Sequence, residues 1–207
     1  MKNKKDLIFA TEFIRQSNLI ENINIPFEEI WKGWGGDPLK GHVRALVSAV
    51  IESLQKITLT EEIICLWQKL IIQEQNSLEI LPEKLIGERE IGQYRECGVY
   101  IGTRSCMPAR AVPICMEHLV EEVCYFQKQI GLKTKEEIMG RIADFHFEFL
   151  WIHPFVDGNG RTARILTWYL FKYFELKPFI FTSDDKHETY YRAFDGMREY
   201  FTQKSRA

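Results

Sequence analysis

The chain has 207 residues, 45% of them hydrophobic and 27% charged, with a net charge of 27 − 29 = −2. That length suits one domain with a sizeable core, or one domain with a small appendage. The near-neutral balance excludes generic attraction to nucleic acid or to an acidic membrane, and no apolar run approaches the roughly 18 residues of a spanning helix. The basic opening meets Asp6, Glu12 and Arg15 too soon for an export signal, so a cytoplasmic setting is expected. The cysteines, Cys65, Cys97, Cys106, Cys115 and Cys124, form no C-x-x-C pair and match no metal-ligand spacing. An odd count without an export signal predicts reduced, mostly buried thiols.

Most of the chain reads as helix. Residues 3–21 set Leu7, Ala10, Phe13 or Ile14, and Ser17 at three-to-four spacing, and Pro26 closes that segment. A glycine-rich connector, WKGWGGDPLKG, follows, flanked by Trp31 and Trp34, which are expected to anchor the N-terminal segment. A helical stripe resumes through Val43, Leu46, Val47, Val50 and Leu54. Thr58 and Glu61 make a capping-box pattern before IICLWQKLII, and Thr134 and Glu137 make another before EEIMGRIADFHFEFLWI. Pro113 opens a helix that Gly131 ends, and Ser183 is placed to cap a last one, DKHETYYRAFDGMREYF. One stretch breaks the helical period. GQYRECGVYIGTRSCMPARAV carries Tyr94, Val99, Tyr100 and Ile101 between glycines, with Pro108 beyond, and predicts a short β-hairpin or an extended flap. The fold expectation is all-α with that one hairpin.

The densest chemistry is HPFVDGNGR, His153 to Arg161, with Arg164 three residues on. Pro154 disfavours helix at its predecessor, so the preceding helix ends by presenting His153. Gly158 and Gly160 permit a tight loop and close approach of backbone N–H groups to a ligand. A helix starting near Asn159 points unpaired N–H groups and a positive dipole end into that loop, which suits phosphate. Arg161 and Arg164 share one face of its first turns and can converge on a polyphosphate. Asp157 beside phosphates implies a cation, and Mg²⁺ uses one or two carboxylates plus phosphate oxygens. His153 is the nearby group that titrates around neutrality, a candidate general base. A lone histidine before proline is commonly structural and DGNG is a common turn, but their fusion at this offset is hard to attribute to accident. The run matches neither a P-loop nor an H-E-x-x-H zinc site.

HPFVDGNGRTAR resembles the Fic signature, H-x-F-x-[D/E]-G-N-[G/K]-R-x-x-R, at every fixed position. The resemblance extends over a helical core of roughly 60–205 and includes the upstream helix and the hairpin flap. It implies a Fic-fold helical bundle and transfer of AMP from ATP to a Ser, Thr or Tyr hydroxyl of a target protein, possibly the chain itself. It further implies His153 as base, Asp157 on Mg²⁺ and Phe155 anchoring the loop. Gly158, Asn159, Gly160 and Arg161 then hold the α- and β-phosphates, and Arg164 the γ-phosphate. Gly160 stands where the kinase-like Doc branch has lysine, which favours AMP transfer. SNLIEN, Ser17 to Asn22, fits the family's inhibitory pattern [S/T]-x-x-x-E-[G/N]. Glu21 is therefore expected to pair with Arg164 in place of the γ-phosphate. The resemblance divides the chain into an inhibitory helix (1–25), a connector with the first core helix (26–59) and a Fic core (60–207) with its flap at about 94–108. It assigns Val99, Tyr100 and Ile101 to the target segment. A phosphotransferase, an AMP-removing enzyme or a catalytically silent binding module stay open as alternatives, as does a homo-oligomer. His146 is expected to pack in the core, His42, His118 and His187 have no evident partner, and Tyr190 and Tyr191 are core or adenine-adjacent.

Overall fold

The computed structural model describes residues 3–37, 40–78, 85–101, 104–129, 131 and 133–183. The predicted last helix, with His187, Tyr190 and Tyr191, lies outside them. Seven α-helices are described: α1 (Lys4–Ile20), α2 (Phe27–Lys32), α3 (Gly41–Leu54), α4 (Glu61–Ser77), α5 (Val112–Gln127), α6 (Lys135–Ile152) and α7 (Asn159–Tyr173). Between α4 and α5 lies an antiparallel hairpin, β1 (Tyr100–Ile101) with β2 (Arg104–Ser105), in register Tyr100 to Ser105 and Ile101 to Arg104. The expected all-α architecture with one short hairpin is what the chain forms.

Helix α7 is the axis of the molecule. All of its residues are buried except Gly160 and Lys172, and a helix buried all round must be enclosed by others. Those others are α1, α3, α4 and α6. Helix α1 begins where Asn3 accepts a hydrogen bond from the Asp6 N–H, and its apolar stripe buries Ala10, Phe13 and Ile14. Phe13 meets Trp168 of α7 edge-on, with ring centroids 4.5 Å apart. Trp34 anchors this segment as expected, its Nε1 donating to Thr11 Oγ1 at 2.8 Å, while Trp31 stacks on Phe27.

Several boundaries differ from expectation. Pro26 does not lead into an irregular connector; it is the N-cap of the short helix α2. A residue with fixed φ and no N–H suits a helix start as well as a stop. The cap of α4 is Thr60, which accepts from the Ile63 N–H, and not Thr58. Two threonines so close offer the same local chemistry, and packing picks the one in register. Helix α5 stops at Gln127, before Gly131. The Thr134–Glu137 capping box of α6 is formed in both directions. Helix α3 has no side-chain cap of its own. Glu74 of α4 supplies one from outside, accepting from the His42 N–H at 2.6 Å, and burial pushes its carboxyl above the usual range. All five cysteines are unpaired, yet none is fully buried and Cys97 is exposed, against the expectation of burial. Cys65 and Cys115 pack against the core from its edge, where the flank of a helix leaves part of the side chain to solvent.

Candidate active site

Helix α6 ends at Ile152, and His153 follows in the left-handed conformation, φ 51° and ψ 61°. Pro154 forbids continuation of the helix, and the reversal swings the loop 153–158 back toward α7. Phe155 is driven fully into the core against Tyr94 and Phe149, which pins the loop from its middle. Asn159 staples the loop to its own exit. Its Oδ1 accepts from the Phe155 N–H at 2.9 Å, and its Nδ2 donates to the Phe155 carbonyl at 2.8 Å. Gly158 is the N-cap of α7 at φ 81°, a backbone that glycine adopts without cost.

The His153 Nδ1 lies 3.2 Å from the Leu150 carbonyl oxygen. A carbonyl can only accept, so Nδ1 carries the proton and Nε2 keeps its lone pair, the tautomer a base requires. Burial lowers the His153 pKa, with the Leu150 carbonyl opposing and the Arg95 charge adding to the fall. Asp157 is held on both oxygens. Oδ1 accepts from the Gly158 N–H at 2.6 Å, and Oδ2 from Gln75 Nε2 at 3.0 Å. Arg161 stands 3.7 Å from Asp157 and donates to Gln75 Oε1 at 2.6 Å. Among the described residues no group of three or more His, Cys, Asp or Glu could enclose a metal. A single partly exposed carboxylate nevertheless fits Mg²⁺, which takes one carboxylate and draws further ligands from phosphate and water.

Arg164 is 0% exposed. Its Nε donates to Ser17 Oγ at 2.8 Å, and its Nη2 donates to the Ser17 carbonyl at 2.8 Å and to Glu21 Oε1 at 2.6 Å. Helix α1 thus delivers Ser17 and Glu21 to one guanidinium across 147 and 143 residues of chain. Glu21 also overlies Gly160: a Cβ added there would stand 2.1 Å from Glu21 Oε1.

Three residues that organise the site escaped the sequence reading. Gln75 bridges Asp157 and Arg161, and Gln68 ties the Asp157 carbonyl (3.1 Å) to the Gly92 N–H (2.6 Å). The signal for both was present: two glutamines seven apart on the buried stripe of α4, where an unpaired polar group would be costly. Arg95 gave no periodic signal. It is 3% exposed and joins the hairpin to the loop, donating from its backbone to the Pro154 carbonyl and from Nε to the His153 carbonyl. Of the hairpin residues, Tyr100 is 70% exposed, and Val99 and Ile101 are half-buried. The Val99 carbonyl accepts from the Cys106 N–H, so its backbone is engaged within the hairpin. His146 is buried as expected, its Nδ1 2.8 Å from Thr167 Oγ1 and its ring stacked on Phe181. His42 does have a partner: its Nδ1 lies 3.1 Å from Asn18 Oδ1 on α1.

The Fic/DOC family model matches residues 58–171, more than half of the chain. The chain therefore belongs to the Fic/DOC family. It is 30% identical over 131 residues to protein adenylyltransferase Fic of Nematostella vectensis, a match covering 58% of this chain and 29% of that protein. With protein adenylyltransferase fic-1 of Caenorhabditis elegans it shares 33% identity over 79 residues, 37% of this chain and 14% of that one. The chain thus spans less than a third of the length of these relatives. Its fold is similar to that of a Fic domain containing signaling protein from Bacteroides thetaiotaomicron VPI-5482, with a TM-score of 0.74 at 20% identity, covering 97% of this chain and 84% of that one. A fragment of C. elegans Fic-1 aligns with a TM-score of 0.69 at 15% identity, over 100% of this chain and 61% of the fragment. No described helix is long and apolar enough to cross a membrane.

Proposed function

We propose that the chain transfers AMP from ATP to a hydroxyl side chain of a protein, and that its own first helix holds this activity down. The triphosphate lies over the start of α7, where the tight turn at Gly158, the N–H groups of Asn159 and Gly160, the helix dipole and Arg161 meet negative charge. Arg164 takes the terminal phosphate once Glu21 has left it. Asp157 would hold Mg²⁺, which supplies charge neutralisation between phosphate oxygens when bound. The acceptor segment lies along the hairpin at Val99, Tyr100 and Ile101 by strand addition. His153 Nε2 takes the hydroxyl proton as that oxygen bonds to the α-phosphorus. The bond to the bridging oxygen breaks, pyrophosphate leaves, and the proton passes from the imidazolium to solvent.

The observation that supports this most is the Arg164–Glu21 contact at 2.6 Å, because it puts a carboxylate against the cation suited to a terminal phosphate. The terminal phosphate must compete with a carboxylate already seated on Arg164, so ATP gains only the difference between the two charge-assisted contacts. The test is self-labelling with radioactive ATP. Glu21→Gly is expected to label about tenfold faster than wild type or more, the factor expected from one charge-assisted hydrogen bond of about 1.5–3 kcal/mol. Glu21→Gly/His153→Ala should not label, and mass spectrometry should find a full AMP, not a phosphate, on the product. Equal labelling of wild type and Glu21→Gly would sink the inhibition. Labelling without His153 would sink the base.

A further inference from the structure

We propose that Arg95 is a positioning residue for this transfer, fixing the backbone of His153 and both ends of the hairpin in one rigid frame. The inference rests on the adenylyl-transfer reading and names how the acceptor platform is kept aligned with the base.

The guanidinium serves two sets of carbonyls. On one side Nε donates to the His153 carbonyl at 2.7 Å and Nη2 to that of Ile152 at 3.2 Å. These belong to the last residue of α6 and its C-cap, whose carbonyls have no partner within the helix. A cation suits that end of the dipole. On the other side Nη1 donates to the Cys97 carbonyl at 2.7 Å, and Nη2 also donates to the Met107 carbonyl. Cys97 precedes β1 and Met107 follows β2, so these bonds close the base of the hairpin. The Arg95 N–H adds a fifth bond, to the Pro154 carbonyl at 2.9 Å.

A cap for α6 alone would need neither hairpin bond, and a closure for the hairpin alone would need neither loop bond. Serving both couples the peptide of the base-bearing residue to the two strand ends that would flank a docked acceptor. His153 is in a left-handed conformation, which a non-glycine residue leaves unless it is held. The planar fork can hold carbonyls on both sides at once, whereas lysine, a point charge on a flexible stem, cannot. Misplacement of a reacting group by about 1 Å can cost about 100-fold in rate.

The test uses the full chain carrying Glu21→Gly, with Arg95→Lys and Arg95→Met added separately. Self-labelling is followed as ATP is varied, and ATP binding is measured by calorimetry. Arg95→Lys keeps a cation while losing the fork, so the experiment stays readable where methionine prevents folding. The expected result is a maximal labelling rate about 10- to 100-fold lower, with half-saturating ATP and the calorimetric affinity changed less than about twofold. An unchanged maximal rate in Arg95→Lys overturns the proposal. So does a rate loss matched by an equal loss of ATP affinity, because the residue would then merely hold up the phosphate loop. Absence of labelling with Arg95 intact overturns the parent reading, and this one with it.

Discussion

Gly160 shows how one missing methyl group decides what a site can hold. The Glu21 carboxylate lies where its Cβ would be, 2.1 Å away, and the nearest Arg164 nitrogen would lie 3.2 Å away. Alanine at this position must therefore push Glu21 off Arg164. In an otherwise wild-type chain Gly160→Ala should cost up to about 3 kcal/mol in urea unfolding, the upper limit for one hydrogen bond to a charged group, since Arg164 keeps its two bonds to Ser17. In a Glu21→Gly background the same alanine has nothing to displace and should cost much less. The double-mutant cycle reads this directly, and additive costs would show that Glu21 does not seat over Gly160 in solution.

At the scale of the element, α1 stays in place through apolar contact while its polar end occupies the site. Phe13 is 2% exposed against Trp168. Phe13→Ala should cost about 3–5 kcal/mol by cavity formation, spent chiefly on loosening α1. Amide exchange in α1 should then accelerate, and self-labelling should rise toward that of Glu21→Gly although neither Glu21 nor Arg164 has changed. Faster exchange without faster labelling would separate the docking of α1 from any restraint on activity. Helix α4 works the opposite way. Its outward start is capped locally by Thr60, while Gln68, Glu74 and Gln75 reach inward to the flap side, α3 and the loop.

For the whole molecule, two histidines are kept neutral inside the core. Burial lowers the pKa of His146 to about 3, with Arg164 adding to the fall, and burial holds His42 well below its ordinary value. Unfolded, both bind a proton below about pH 6.5, and folded they do not, so the unfolded state holds more protons there. Stability is therefore level above pH 6.5 and falls as pH drops below it, by about 1.4 kcal/mol per unit for each histidine. Between pH 6.5 and 5 the wild type should lose about 2 kcal/mol more than His146→Leu, measured as urea unfolding free energy. Equal losses would mean that His146 titrates in the fold.

Patterns confined to neighbouring residues were legible from the chain alone. The nine-residue run from His153, the capping box of α6, the stripe of α1, the break at Pro154 and the hairpin follow from spacing and backbone chemistry, which act over one or two turns. The choice of Thr60 over Thr58, and the helix hidden behind Pro26, already exceed that range, because several local solutions are nearly equal and packing selects among them. The bond from Glu74 to α3, the glutamine bridge under Asp157 and the fork of Arg95 carry no periodic mark, since each depends on which faces α3, α4 and α6 turn to α7. SNLIEN supplied the right residue types, but their arrival at Arg164 was decided by the burial of Phe13 and Ile14. Hydrophobic contact is nondirectional and fixes where helices lie, and only then do polar groups far apart in sequence come within hydrogen-bond reach.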